Sequence, residues 1–427
     1  MTLIIIMLVV LFALLIIGVP VGIALAGSSM LWVLLSGKVP DFVVIHRMVN
    51  GVDSFPLLAI PFFILAGNLM NSAGITNRIF AFATACIGWL RGGLGHVNII
   101  ASVLFAGMSG AAVADAGGLG TIEIKAMRDA GYDDDFAVAV TAASSTIGPI
   151  IPPSLPMVVY GVMASASVGQ LFAAGFIPGL LMAVALMLLV AWYAKKRNYP
   201  RDARFNIRLL GKSFKRAFLS LLTPVIIVGG ILTGAFTPTE AAISASVYAL
   251  ILGVVVYRTL TWRRLLVVSM DTIETSAIIC FIVAAASIFA WILTSNRVTE
   301  HFTSLIMEIT QNPILVLILL NLILFVVGCF METVAAITIL VPVLLPIAVG
   351  IGIDPVHFGV IMVLNLMIGL LTPPVGMVLY VLARVAGISF ERCAAATLPF
   401  LFPLVVVLIL ITFIPSFSMW LPTLIYR

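Results

Sequence analysis

Two stretches of this chain, about half its length apart, interrupt apolar segments in nearly the same way. The first reads Ile147-Gly148-Pro149-Ile150-Ile151-Pro152-Pro153-Ser154 and is followed by Met157-Val158-Val159-Tyr160. The second reads Ile368-Gly369-Leu370-Leu371-Thr372-Pro373-Pro374-Val375 and is followed by Met377-Val378-Leu379-Tyr380. A double proline removes two backbone donors and disrupts the helix before it. Hydrocarbon accepts open backbone only where protein or a wet cavity covers it. Matching breaks in the two halves of a membrane protein point to a transporter's binding site.

That argument needs the segments to lie in a membrane, and the composition puts them there. Of 427 residues, 63% are hydrophobic and 9% charged, against about 25% charged in a soluble domain. Long apolar runs without period-two alternation predict helices rather than a barrel. No basic residue precedes the first apolar run, the first being Lys38, so the start is not read as a secretory signal. Cys86, Cys280, Cys329 and Cys393 are scattered, as are His46, His96, His301 and His357. Neither set suggests a disulfide framework or a metal-ligand spacing. The net charge of +5 reflects basic residues in short loops, which argues for inner-leaflet bias and against nucleic-acid binding.

The two breaks belong to a longer internal repeat. Gly107 pairs with Gly328, Val113-Ala114 with Val334-Ala335, Gly131 with Gly352, Asp133 with Asp354 and Gly148 with Gly369, all at an offset of 221. The first repeat is read as residues 1–194, with a hairpin near 95–127 and a broken helix near 135–165. The second is 217–427, with a hairpin near 313–349 and a broken helix near 355–387. Residues 195–216 form a basic linker. Its Lys195, Lys196, Arg197, Arg201, Arg204, Arg208, Lys212, Lys215 and Arg216 oppose only Asp202, so the linker is expected in the cytoplasm. The apolar stretch from Arg216 to Arg258 would be about 60 Å long as one helix, twice the hydrocarbon thickness, so it must fold back. Basic loops fall on one side only if residues 95–127 and 313–349 are re-entrant. The amphipathic stretches near 76–91 and 298–311 then lie along the surface. Each half makes five crossings, an odd number, so the repeats are inverted and both termini are expected in the periplasm. The predicted fold is an all-α polytopic membrane protein.

The first hairpin tip, Gly107 to Gly120, is rich in small residues. Such a run serves either close helix packing or a turn whose carbonyls and Ser109 hydroxyl face the Gly148–Pro153 break. Carbonyls and hydroxyls suit a hard cation such as sodium, and half-helix N-termini attract anions. The second tip, Gly328 to Thr333, should face Gly369–Pro374, where Thr372 adds a hydroxyl. Asp115 and Glu332 are either functional acids inside the membrane or tip residues in water. Ser144, Ser145 and Thr146 before the first break, and Asn365 before the second, either line a substrate cavity or bond neighbouring helices. Thr237-Pro238-Thr239-Glu240 reads as a capped helix start. Walker and nucleophile-elbow motifs are absent, and no catalytic pair lies at bilayer depth, so an enzyme is not expected.

Gly18-Val19-Pro20, Ser109-Gly110-Ala111, Phe236-Thr237-Pro238-Thr239-Glu240-Ala241-Ala242 and the two breaks follow in order over nearly the whole length. In these the chain resembles the large membrane subunit, DctM type, of tripartite ATP-independent periplasmic (TRAP) transporters. The resemblance implies an elevator-type transport domain moving against a scaffold in the bacterial inner membrane. It implies sodium-driven import of an organic anion, a carboxylate, handed over by a periplasmic substrate-binding protein. A small four-helix membrane subunit is implied as a partner, expected on a separate chain. The only coupling ion implied is sodium, with no cofactor. Its ligands are implied to be Gly107, Ser109, Gly148, Ile151 and Pro153 in one half, and Gly328, Thr333, Gly369, Thr372 and Pro374 in the other. Where family members carry further hydroxyl or amide side chains in the first tip, Ala106 and Met108 offer only backbone carbonyls. A stand-alone sodium/dicarboxylate carrier of related architecture and a channel are the competing readings.

Overall fold

Residues that start or stop helices bound nearly every apolar run, and the computed structural model forms helices between them. It describes residues 2–37, 39–199, 201, 206–310 and 312–426; the side chains of residues 107–109 and of 299, 302, 305–307 and 309 lie outside that description. The first half comprises α1 (Thr2–Ile16), α2 (Val21–Ser36), α3 (Phe42–Val52), α4 (Ala59–Ser72), α5 (Ile75–Ile87), α6 (Gly93–Ser109), α7 (Ala112–Gly117), α8 (Leu119–Asp129), α9 (Asp134–Ser145), α10 (Leu155–Met163) and α11 (Val168–Lys196). The second comprises α12 (Ile207–Leu232), α13 (Pro238–Ile251), α14 (Trp262–Ser295), α15 (Val298–Ile309), α16 (Pro313–Gly328), α17 (Thr333–Gly350), α18 (Pro355–Gly369), α19 (Met377–Ala386), α20 (Phe390–Phe413) and α21 (Ser416–Ile425). No strand occurs among the described residues. Among the described residues seven helical segments, two of them α4 and α13 lengthened by an adjoining turn, are long and apolar enough to cross a membrane, and the molecule is a multi-pass membrane protein.

The element order repeats. The hairpin α6–α8 corresponds to α16–α17, the broken helix α9/α10 to α18/α19, and α11 to α20. Both broken helices begin just after an aspartate. Asp354 Oδ1 accepts from Val356 N at 2.7 Å, with Pro355 opening the helix. Proline costs nothing at that position, where the N–H has no intrahelical partner. Thr237 caps α13 in a complete capping box: its Oγ accepts from Glu240 N, and Glu240 Oε2 accepts from Thr237 N at 2.8 Å. The expected capped helix start at this cluster is therefore present, with Thr237 as the cap.

Three boundaries differ from the sequence reading. The connection between the halves is shorter than 195–216. Helix α11 runs through Lys196 and α12 starts at Ile207, so Arg208, Lys212, Lys215 and Arg216 ride on helix. Asn206 caps that start, its Oδ1 accepting from Arg208 N and Leu209 N, and Lys and Arg are good helix formers. Residues 42–52, given no element above, form the amphipathic helix α3. The last apolar stretch of the second repeat is interrupted: α20 ends at Phe413, and Pro415 precedes a separate α21.

Helices α1, α2, α3 and α14 share one apolar cluster, and most of the remaining core forms a second. Helix α4 joins them by packing on both α13 and α14. At the start of α9 three successive aspartates each reach an arginine of a different element. Asp133 Oδ2 pairs with Arg197 at 2.8 Å, Asp134 Oδ1 with Arg128 at 2.5 Å, and Asp135 Oδ1 with Arg392 at 2.6 Å. Tyr199 also donates to Asp133 Oδ2, at 2.6 Å. That bond, reinforced by Arg197, holds the Asp133 carboxyl below its ordinary range.

Candidate functional site

Proline and glycine stop α9 at Ser145 and α18 at Gly369, and each break is met by a hairpin tip. At the first crossing Gly110 turns the chain with φ +59°. A Cβ there would stand 2.9 Å from the carbonyl oxygen of Pro153, so only glycine brings the tip this close. On α7, Asp115 is buried, and its Oδ2 lies 3.0 Å from where a Gly148 Cβ would stand. At the second crossing the backbones touch: a Cβ on Gly369 would meet the C, Cα and O atoms of Gly328 at 2.5–2.8 Å. Val375 N donates to Cys329 O at 3.2 Å, and Thr372 Oγ lies 2.9 Å from Cys329 Sγ. The tips also pair crosswise, α7 packing on α19 and α17 on α10.

The residues named from the sequence as ion ligands divide as follows. Gly148, Ile151 and Pro153 gather at the first crossing. Ile151, Pro153 and every other residue from Thr141 to Ser154 are buried. Gly107 and Ser109 end α6, but their side chains lie outside the described residues. Gly328, Gly369 and Thr372 converge at the second crossing. Thr333 opens α17 with a buried hydroxyl that has no hydrogen-bond partner among the described residues. Pro374 stands exposed at the rim. Glu332 caps α17, its Oε2 accepting from Ala335 N at 3.1 Å, and so serves the helix start. Asp115 is not in open water: it is 2% exposed.

The residues read as substrate-lining have other partners. Ser144 donates to Asn98 Oδ1 at 2.5 Å, while Asn98 Nδ2 donates to Glu123 Oε2 and to Thr141 Oγ, each at 2.7 Å. This buried clasp ties both arms of the first hairpin to α9. Ser145 donates to Ala142 O within its own helix. Asn365, at the position equivalent to Ser144, donates to Asn321 O and Oδ1, each at 2.9 Å. Ser144 and Asn365 thus each bond an asparagine on the first arm of its own hairpin.

A cavity of about 180 Å³ lies between these elements and α4 and α14. Asn68 and Asn71 of α4 and Thr275 of α14 face Ala111, Ala114 and Leu155 across it. Its polar groups are amides and a hydroxyl, and it borders both the first tip and the start of α10. A family model described as "Tripartite ATP-independent periplasmic transporter, DctM component" matches residues 8–417. The chain belongs to that family. Among DctM relatives, the sialic acid TRAP transporter large permease protein SiaM of Vibrio cholerae is 50% identical, over 95% of each chain. The sialic acid TRAP transporter permease protein SiaT of Haemophilus influenzae is 45% identical over 96% of this chain, which spans 66% of SiaT. The C4-dicarboxylate large permease DctM of Pseudomonas aeruginosa is 40% identical over 87% of each. Among solved structures, the Alcanivorax borkumensis YdaH transporter shares the fold, with a TM-score of 0.66, 13% identity and 88% of each chain covered. As a DctM chain it belongs to a family of transporters, not enzymes. Asn68, Asn71, Thr275 and the Asn98–Glu123 pair were not singled out from the sequence. They stand far from the breaks in the chain, and only the half-to-half packing of α4 on α14 shows the cavity. A polar residue on an otherwise apolar span was the one available signal.

Proposed function

We propose that the chain is the large permease of a TRAP system in a bacterial inner membrane and imports a sialic-acid-like carboxylate together with sodium running down its gradient. The carrying observation is that both hairpin tips close on both helix breaks, where backbone carbonyls leave the helical ladder. Sodium would be held at the two crossings, by Gly107, Ser109, Gly148, Ile151 and Pro153 and by Gly328, Thr333, Gly369, Thr372 and Pro374. The buried, unpartnered Thr333 hydroxyl and Thr372 supply oxygens of the kind a hard cation takes. A carboxylate would enter the cavity beside Asn68, Asn71 and Thr275, near the positive end of α10. The substrate class rests on SiaM and SiaT, whose names carry sialic acid.

In this reading the halves are inverted, both termini are periplasmic, and the hairpins and broken helices move as a unit against α4, α13 and α14. A small membrane subunit and a periplasmic binding protein complete the system, in line with the "large permease" names of the relatives. Each sodium charge moved inward yields about 2.3 kcal/mol per 100 mV of membrane potential. The test is uptake into proteoliposomes containing the chain with its small subunit, with binding protein and labelled sialic acid outside. Uptake should require sodium. Thr372→Ala and Ser109→Ala should weaken sodium activation more than expression. Unaltered sodium activation in both variants would overturn the ion assignment, and uptake without binding protein would favour a stand-alone carrier.

A further inference from the structure

A second, larger cleft lies away from the breaks, on the face that carries the basic linker. It encloses about 820 Å³ between the start of α5, the first turns of α12 and the turn after α13. Arg78, Lys215 and Arg216 line it, and among the described residues no aspartate or glutamate does. Among the described residues none of the three has a carboxylate within ion-pair distance; the ion pairs there involve Arg128, Arg197 and Arg392. Arg78 is anchored in place. Its Nη1 donates to Gly74 O at 3.0 Å, and its guanidinium lies 3.6 Å from the centroid of the Tyr257 ring. Tyr257 is itself fixed, with its hydroxyl 3.0 Å from Ser220 Oγ. The Nε and Nη2 donors of Arg78 make no hydrogen bond among the described residues, so one face of a rigid cation is left for a ligand.

The depth of the cleft identifies the ligand. Helix α12 has 26 residues, about 39 Å, against about 30 Å of hydrocarbon. Counting back from Leu232, the hydrocarbon boundary falls near Ser213, so Lys215 and Arg216 reach headgroup level by snorkelling. Beside them the surface turns apolar and outward. Phe214 and Phe218 are 45% and 44% exposed, and Val255 and Val256 are 62% and 46% exposed. Cations at the headgroup plane above an apolar, outward-facing wall are complementary to an anionic phosphate carrying acyl chains. A soluble anion would use the charges but not the wall.

We propose that this cleft binds the headgroup of an anionic phospholipid of the cytoplasmic leaflet, with the phosphate on Arg78, Lys215 and Arg216 and an acyl chain along Phe218 and Val256. Basic clefts between membrane helices on this side are suited to such headgroups. The site is separate from the breaks and does not depend on which ion or substrate they handle.

The experiment uses the full chain, purified with its small membrane subunit, and titrates phosphatidylglycerol while thermal stability and native mass spectra are followed. Phosphatidylglycerol should stabilise the wild type, and phosphatidylethanolamine and glycerol phosphate should not. Lys215→Gln with Arg216→Gln should weaken the lipid response by about 20- to 30-fold, at roughly 1 kcal/mol per charge. Lys195→Gln with Lys196→Gln, on the same side but outside the cleft, should leave it unchanged. A photoactivatable phosphatidylglycerol should label peptides covering residues 213–219, which keeps the test valid if the double variant is unstable. Equal loss in the control pair, an equal response to glycerol phosphate or phosphatidylethanolamine, or photolabelling by the lipid that misses residues 213–219 would each overturn the proposal.

Discussion

The two hairpin–break crossings arise from one motif and differ in how they are closed. The first is sealed: residues 141–154 are all buried, Asp115 sits against Gly148, and Asn98 clasps Glu123, Thr141 and Ser144. The second is open at its rim, where Pro373 and Pro374 are exposed and Asn321–Asn365 is the polar tie. The cause lies on the following helix. Gly175 and Gly179 of α11 let that helix lie on the first break, and Cβ atoms there would stand 2.3 Å from Ile150 O and Ile151 Cγ1. At the same offset α20 carries Ala396 and Phe400, and Phe400 instead stacks on Tyr193 at 5.6 Å. A repeat in sequence thus preserves the backbone break while its neighbours decide how wet it is.

Substitutions can break this comparison. The largest effect is expected from Gly369→Ala. Its methyl meets backbone rather than a movable side chain, so the cost should reach the upper part of the roughly 1–3 kcal/mol of overpacking, and uptake should be abolished. Gly148→Ala meets a carboxylate oxygen that can shift, and should keep measurable uptake; equal loss in both would remove the distinction. Next comes Asn98→Ala, which strands the buried Glu123 Oε2 and leaves Ser144 with Thr141 O alone, and should lower stability by about 2–3 kcal/mol. Asn321→Ala breaks a smaller tie and should cost about 0.6–1.7 kcal/mol. Chemical unfolding of both in one detergent tests the order.

Two further measurements sharpen it. With Cys86 and Cys280 replaced by serine, Val375→Cys should react with a water-soluble maleimide at least about tenfold faster than Ser154→Cys, because thiol reactivity follows exposure. Similar rates would mean that the first crossing is not sealed. The smallest effect concerns acid. Asp133 is held below its ordinary range chiefly by Tyr199. Its contribution is therefore present above the unfolded carboxylate pKa of about 3.9 and is lost as pH falls through the lower folded value. Tyr199→Phe should leave that onset in place and flatten the acid limb, because the folded value then lies closer to the unfolded one. An unchanged acid limb would show that the bond is not coupled to stability.

Much of this architecture was legible beforehand. The offset that joins Gly107 to Gly328 and Gly148 to Gly369 brought each tip to its break, because double prolines and glycine turns act locally and survive in any packing. The clasp was not legible, since Asn98, Glu123 and Thr141 are spread over three elements and look like isolated polar residues in apolar runs. Ser144 and Asn365 were noticed for their polarity, but a partner on another helix fixes what a side chain faces. Helix α3 escaped because an 11-residue amphipathic segment is too short to stand out from a loop beside long apolar spans.

The aspartate triplet at residues 133–135 has a mechanical consequence. Its partners, Arg128, Arg197 and Arg392, belong to the ends of α8 and α11 and the beginning of α20, so four rods are pinned at a single corner. A tilt of α9 therefore strains pairs to three other elements together, each of them a half-exposed and individually weak tie. Displacement begun at the interrupted rod would reach the far half of the molecule at this corner through Arg392, alongside the packing of α9 on α20.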